Sequence, residues 1–363
     1  MKTLNTRTSN WIKWALVLFF VILIKWVSLN KERVEVYYTE GFYPIISNIL
    51  RILFGWIPFS LGDVLYILAG CWLLYKFLKN IKLIFARGIK RPVFFSKLAN
   101  TVLIIFTLYI TFNIFWGLNY NRQGITYQLG LSDQSYDTSD VRIIEKLLLQ
   151  KVNFSKTTLM KSHSMYPSKK DLFKRAEASY DEASKKYPFL KSKHPSVKSS
   201  MFGRIGNYLG FTGYYNPFTG EAQVNTSVPE FLQPYITTHE MGHQIGYAKE
   251  DEASFVGYLA SVNSNDTLFC YSTYLDLFMY ANREVYFFDS VSSKQSYNLL
   301  TEPVKKDIED WQKFVRHHQT FIEPGITWMY GKFLKLNEQP KGMRSYNAVI
   351  SMLIAYYKKY GTI

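Results

Sequence analysis

His239-Glu240-Met241-Gly242-His243 is the stretch on which the reading of this chain turns. Its H-E-x-x-H spacing asks for a helix, because residues four apart then lie on one face, one turn above the other. Two imidazoles placed that way can reach a single Zn²⁺, with Glu240 beside a metal-bound water as general base. The flanks suit a helix. Phe231, Leu232, Tyr235 and Ile236 supply apolar positions ahead of the motif, and Gly246 is a natural C-terminal stop.

A catalytic zinc usually takes three protein ligands and leaves a fourth position for water. The third ligand is expected from Lys249-Glu250-Asp251-Glu252-Ala253-Ser254, which opens a second apolar helix running through residues 255–260. Two acids qualify. Glu250 shares a face with Ala253, Ser254 and Gly257, small residues that allow close helix packing. Glu252 lies deeper in the helix and suits the height of the metal. The sequence leaves both open, and it offers Asp251 as the N-cap. Taken alone, the acidic run reads equally well as an ordinary solvated helix start.

His239, Glu240, His243, Gly246, Glu250, Asp251, Glu252 and Ala253 together spell H-E-x-x-H-x-x-G-x-x-x-E-D-E-A. On these residues the chain resembles a zincin-type metallopeptidase of the glutamate-ligand branch (gluzincin-like). More closely, it resembles a bacterial family of uncharacterised membrane proteins in which a few N-terminal spans precede a domain with this motif. The resemblance implies a zinc hydrolase and names no substrate. One position departs from the better-known relatives: Ser254, four after Glu250, stands where many glutamate zincins carry Asp or Asn to orient a metal histidine.

Residues 207–225, ahead of the motif, are rich in Gly, Tyr and Asn. They read as a turn from Asn216-Pro217 to Gly220 and a short strand over 221–225. In zincins a strand beside the metal helix commonly pairs with an extended substrate. Tyr214 or Tyr215 is a candidate donor to a developing oxyanion, with plain packing as the competing role. Near the C-terminus, Gly342-Met343-Arg344-Ser345-Tyr346-Asn347 opens the last helical pattern. Arg344 or Tyr346 can reach the site from there, although a helix start capped by Ser345 is the simpler reading. His317-His318 reads as a solvated helix end.

The first third of the chain belongs to a bilayer. Residues 11–29, 57–75 and 98–118 are apolar and long enough to span. Residues 41–56 are apolar but interrupted by Pro44 and Arg51, which suits an interfacial or re-entrant helix. Lys76, Lys79, Lys82, Arg87, Lys90, Arg91 and Lys97 fill the loop after the second span without a single acid. That loop and the N-terminal tail, with Lys2 and Arg7, are therefore expected on the cytoplasmic side of the cytoplasmic membrane, and everything after about residue 119 outside it.

Net charge is +15, from 43 basic and 28 acidic residues, which raises a nucleic-acid reading. The basic cluster is juxtamembrane, so anionic lipid is the simpler partner, and no nucleic-acid motif accompanies it. The only cysteines, Cys71 and Cys270, lie far apart, so the exported part must be stabilised by its own core. The expected architecture is an α-helical membrane anchor of three spans in residues 1–118, then a mainly helical α+β zincin-like domain in 119–363, its helices interrupted by loops such as residues 290–296. The expected function is zinc-dependent hydrolysis of a peptide or protein substrate; oligomeric state is left open. Two rival readings share the motif: a non-catalytic membrane protein with a structural or decayed metal site, and a zinc hydrolase acting on cell envelope material.

Overall fold

A computed structural model describes residues 2–87, 91–131, 135–162, 165–337, 339 and 348–363. Three helices in it are long and apolar enough to cross a membrane, with apolar stretches at Trp11–Ser28, Leu61–Lys82 and Val93–Phe115. The second starts later than its hydropathy suggests. Pro58 lies in the turn before it, and the helix start is defined by capping: Ser60 Oγ accepts from the Asp63 N–H at 3.0 Å, and the buried Glu221 carboxylate accepts from the Leu61 and Gly62 N–H groups at 3.1 and 2.7 Å. The third ends at Phe115, where Trp116 leaves helical geometry and a 3₁₀ turn, Gly117–Asn121, follows.

Between the first two spans, a nine-residue π-helix, Val34–Phe42, runs into a surface helix, Tyr43–Phe54. The surface helix is amphipathic in the inverse sense. Tyr43, Ser47 and Arg51, spaced by four, are buried against the rest of the protein, while Ile45, Ile49, Ile52 and Leu53 face outward. This is the form of the interfacial helix expected for 41–56, with polar groups turned to protein instead of water.

The remainder is mainly helical. Thr138–Lys161, Lys169–Lys186, Thr267–Phe288 and Val349–Tyr360 surround the motif helix Gln233–Gln244 and the acid helix Glu250–Val262. Leu148, Leu172, Phe255, Phe269, Leu275 and Leu353 belong to the single large core they enclose. A small sheet lies against the motif helix, built from β1 (Val197–Ser199), β2 (Gly213–Asn216) and β3 (Glu221–Val224) in the order β1-β3-β2. β1 runs parallel to β3 and β2 antiparallel, with Val197 opposite Ala222 and Tyr214 opposite Gln223.

Two expectations are corrected. Residues 290–296, expected as a loop, lie in a helix, Ser290–Asn298, started by Asp289, whose side chain accepts from the Ser292 N–H at 3.0 Å. The 221–225 strand is present but central, so both of its edges are already paired and it has none to offer an extended substrate.

Candidate metal centre

The motif forms the helix that its spacing asks for, and Gly246 ends it at φ +98°, a left-handed geometry that favours glycine. The acid helix packs across it through the small residues expected there. A Cβ on Gly257 would meet the His239 backbone nitrogen at 3.0 Å, and one on Gly242 would meet the Ala253 carbonyl oxygen at 3.1 Å. That closeness brings the first turn of the acid helix to the histidines.

Among the described residues, His239, His243 and Glu250 form a group whose ligand atoms all lie within 4.8 Å of one another. Glu250 Oε2 is 3.2 Å from His239 Nε2 and 3.4 Å from His243 Nε2. The other nitrogen of each ring is occupied. His243 Nδ1 donates to the Tyr247 carbonyl at 2.7 Å, which fixes its tautomer and turns Nε2 inward. His239 Nδ1 lies 3.1 Å from Ser254 Oγ, so the serine that departs from the zincin pattern still orients this histidine of the cluster.

The acids separate cleanly. Glu250 is in the cluster. Glu252 points the other way, toward Gly124 and Lys249, whose Nζ is 3.6 Å from its Oε1. Asp251 is no N-cap: Lys249 holds that position, and Asp251 sits inside the first turn.

Charge explains why the cluster asks for a cation. Burial opposes protonation of both histidines; at His243 the Glu250 carboxylate outweighs it and raises the imidazole to about 9, whereas at His239 burial prevails and the value falls. Burial also opposes the Glu250 charge, yet the histidines hold this carboxyl well below its usual range. Two inward nitrogens and a carboxylate this close are tolerable only around shared positive charge, a proton or a metal ion.

Glu240 is buried beside the cluster, and burial pushes its carboxyl up to about 8. Its Oε2 has no hydrogen-bond partner, and β2 passes so close that a Cβ on Gly213 would fall 2.4 Å from its Oε1. Neither candidate tyrosine is hydrogen-bonded to the cluster. The Tyr214 hydroxyl donates to Asp63 and lies 3.0 Å from Ser200 Oγ; that of Tyr215 lies 3.2 Å from the Tyr43 hydroxyl. Tyr330 of the helix Glu323–Leu336 takes the place beside the ligands, its hydroxyl donating to Glu250 Oε1 at 2.6 Å. Nothing in the sequence around Tyr330 signals this. Arg344 and Tyr346 lie outside the described residues, and His317-His318 ends its helix as expected.

The C-terminal end of the motif helix is held by the membrane part of the chain. Trp116 Nε1 donates to the His243 carbonyl at 3.3 Å, and Tyr43 and Arg51 donate to that of Gln244 at 2.8 and 3.1 Å. Arg122 donates to the Gly246 carbonyl at 3.0 Å and pairs at 2.6 Å with Glu35 of the π-helix, both side chains buried. These groups satisfy the orphan carbonyls of a helix end and fix His243 relative to the end of the third span.

A family model described as a protein of unknown function (DUF3810) matches residues 38–354. The chain belongs to this family. No curated protein and no solved structure matches it. The DUF3810 match begins in the π-helix and so takes in, with the His239–His243–Glu250 cluster, the surface helix and the last two spans that hold it.

Proposed function

We propose that this chain is a membrane-anchored, zinc-dependent metallopeptidase that cleaves a peptide or protein substrate at the outer face of the cytoplasmic membrane. The observation that carries the reading is the convergence of His239 Nε2, His243 Nε2 and Glu250 Oε2 on one point, with the buried Glu240 carboxyl alongside. The donor set fits zinc: two neutral imidazoles, each oriented through its second nitrogen, and one carboxylate, which leaves a position for water. The ion would supply Lewis acidity and a water acidified to a pKa of about 7.

The chain's own residues do the rest. Glu240, held against β2 with one oxygen unpartnered, takes the proton from the attacking water and returns it to the leaving amine. Tyr330 holds Glu250 through Oε1 and leaves Oε2 facing the histidines. The acid-free basic stretch over residues 76–97, carried on the adjoining ends of the second and third long helices, supports the outward orientation.

The test uses the full chain, because residues 35–51 and 116–122 hold the motif helix. Cleavage products in membranes carrying the wild type are compared across the proteome with those carrying Glu240→Gln. Products that vanish in the variant while it keeps its zinc agree with the proposal. Identical product sets overturn it.

A further inference from the structure

The helix Glu323–Leu336 covers the metal cluster with one face and turns an apolar face outward. Inward lie Leu334, fully buried, and Tyr330, on Glu250. Outward lie Trp328 and Met329, each 65% exposed, and Leu336, 85% exposed, with Phe321 just ahead of the helix at 93%. Large side chains ranged along one face at seven- and eight-residue intervals would be a liability in water. Lys332 lies on the same face and sits 5.5 Å from the Trp328 ring, and Lys335 is near the C-terminal end. Apolar side chains interleaved with lysines are the composition of a helix lying on an anionic lipid surface.

What lies outside can be read from continuity. A chain of rings leads from the end of the third span to this helix: Trp116, directly after Phe115, contacts Tyr120 at 5.1 Å, Tyr120 contacts Phe333 at 6.4 Å, and Phe333 stacks on Tyr330 at 6.0 Å. Two ring contacts from a span end keep this helix close to the interfacial layer, where Trp and Tyr collect. The surface helix Tyr43–Phe54, also outwardly apolar, leads into the start of the second span.

We propose that the outward face of Glu323–Leu336 rests in the interfacial layer of the bilayer that the three spans cross, so that the helix covering the metal cluster is seated on lipid. The occupant is the bilayer itself, and the inference rests on the placement of the spans, not on hydrolysis. Seated this way, Tyr330 and Glu250 are held from the lipid side, and the cluster stands at the level of the headgroups.

The test is a depth measurement on the full chain. In a Cys71→Ala/Cys270→Ala background, Met329→Cys and Leu336→Cys, both at exposed positions, are each labelled with an environment-sensitive nitrobenzoxadiazole probe. Met165→Cys, in an exposed loop, is the reference. The protein is reconstituted into anionic vesicles, with and without lipids brominated near the headgroup end of the acyl chain. The expected result is blue-shifted emission at 329 and 336 that bromolipid quenches, and water-like, unquenched emission at 165. Water-like emission at 329 and 336 overturns the proposal. So does a blue shift that bromolipid leaves unquenched and that fades as the protein is diluted in lipid, the mark of a second copy of the chain covering this face.

Discussion

The motif helix and the helix that covers it differ in what holds them. Gln233–Gln244 is surrounded by protein: its apolar side chains enter the core, its small residues meet the acid helix, its last carbonyls accept hydrogen bonds from Tyr43, Arg51 and Trp116, and the Gly246 carbonyl just beyond it accepts one from Arg122. Glu323–Leu336 reaches the site through the Tyr330 hydroxyl and presents tryptophan, methionine and leucine outward. The first helix is specified by the chain alone. The second is completed by the bilayer. A rigid metal frame under a lipid-seated cover follows, and substitutions in the two regions should behave differently.

The sharpest way to separate them is chemical. Glu240→Gln should lower hydrolysis by about 10²–10⁴-fold while zinc stays bound, because a general base is removed and no ligand is touched. Peptide turnover and zinc content measured on one preparation check this. Structural damage should be confined to the frame. Arg122→Met leaves the buried Glu35 without its cationic partner and frees the Gly246 carbonyl, so unfolding of the full chain should need about 3–5 kcal/mol less, read from denaturant midpoints in detergent. Trp328→Ser, on the cover, should leave those midpoints within about 0.5 kcal/mol of wild type.

Smaller effects sharpen the same contrast. Tyr330→Phe removes a hydrogen bond from the cover to a ligand, and zinc affinity measured by competition with a chelator should fall by about 10–100-fold. Glu252→Ala should fall short of that, since its carboxylate faces Gly124 and Lys249. A larger loss in Glu252→Ala than in Tyr330→Phe would mean that the two acids have been assigned the wrong way round.

Much of the frame was legible from local rules. The four-residue spacing of the histidines, the Gly246 stop, and the small face of Ala253, Ser254 and Gly257 each dictate geometry within one or two helix turns, and each is found. The choice between Glu250 and Glu252 was not legible. Both sit in one helical turn, and only the angle at which the two helices cross decides which acid faces the histidines. Tyr330 lies eighty residues from Glu250 in sequence and Arg51 almost two hundred from Gln244, so no periodicity connects them. The tyrosines singled out from the Gly-rich stretch pointed elsewhere for a similar reason. Asp63, at the start of the second span, accepts from the Tyr214 hydroxyl, and the membrane anchor thereby takes what looked like an active-site donor. The loop expected at 290–296 was misread because its serines suggest a turn, whereas Asp289 caps them into a helix.

The central claim is that His239, His243 and Glu250 hold one zinc ion. It is tested most directly by metal content of the full-length protein, purified in detergent and dialysed against a weak chelator, for the wild type, His243→Ala, Glu250→Ala and Glu240→Gln. The account predicts about one equivalent of zinc in the wild type and in Glu240→Gln, and almost none in His243→Ala or Glu250→Ala, because losing one of three ligands leaves too little to hold the ion. A full equivalent retained in either ligand variant, or a well-folded wild type that takes up no zinc, would contradict it.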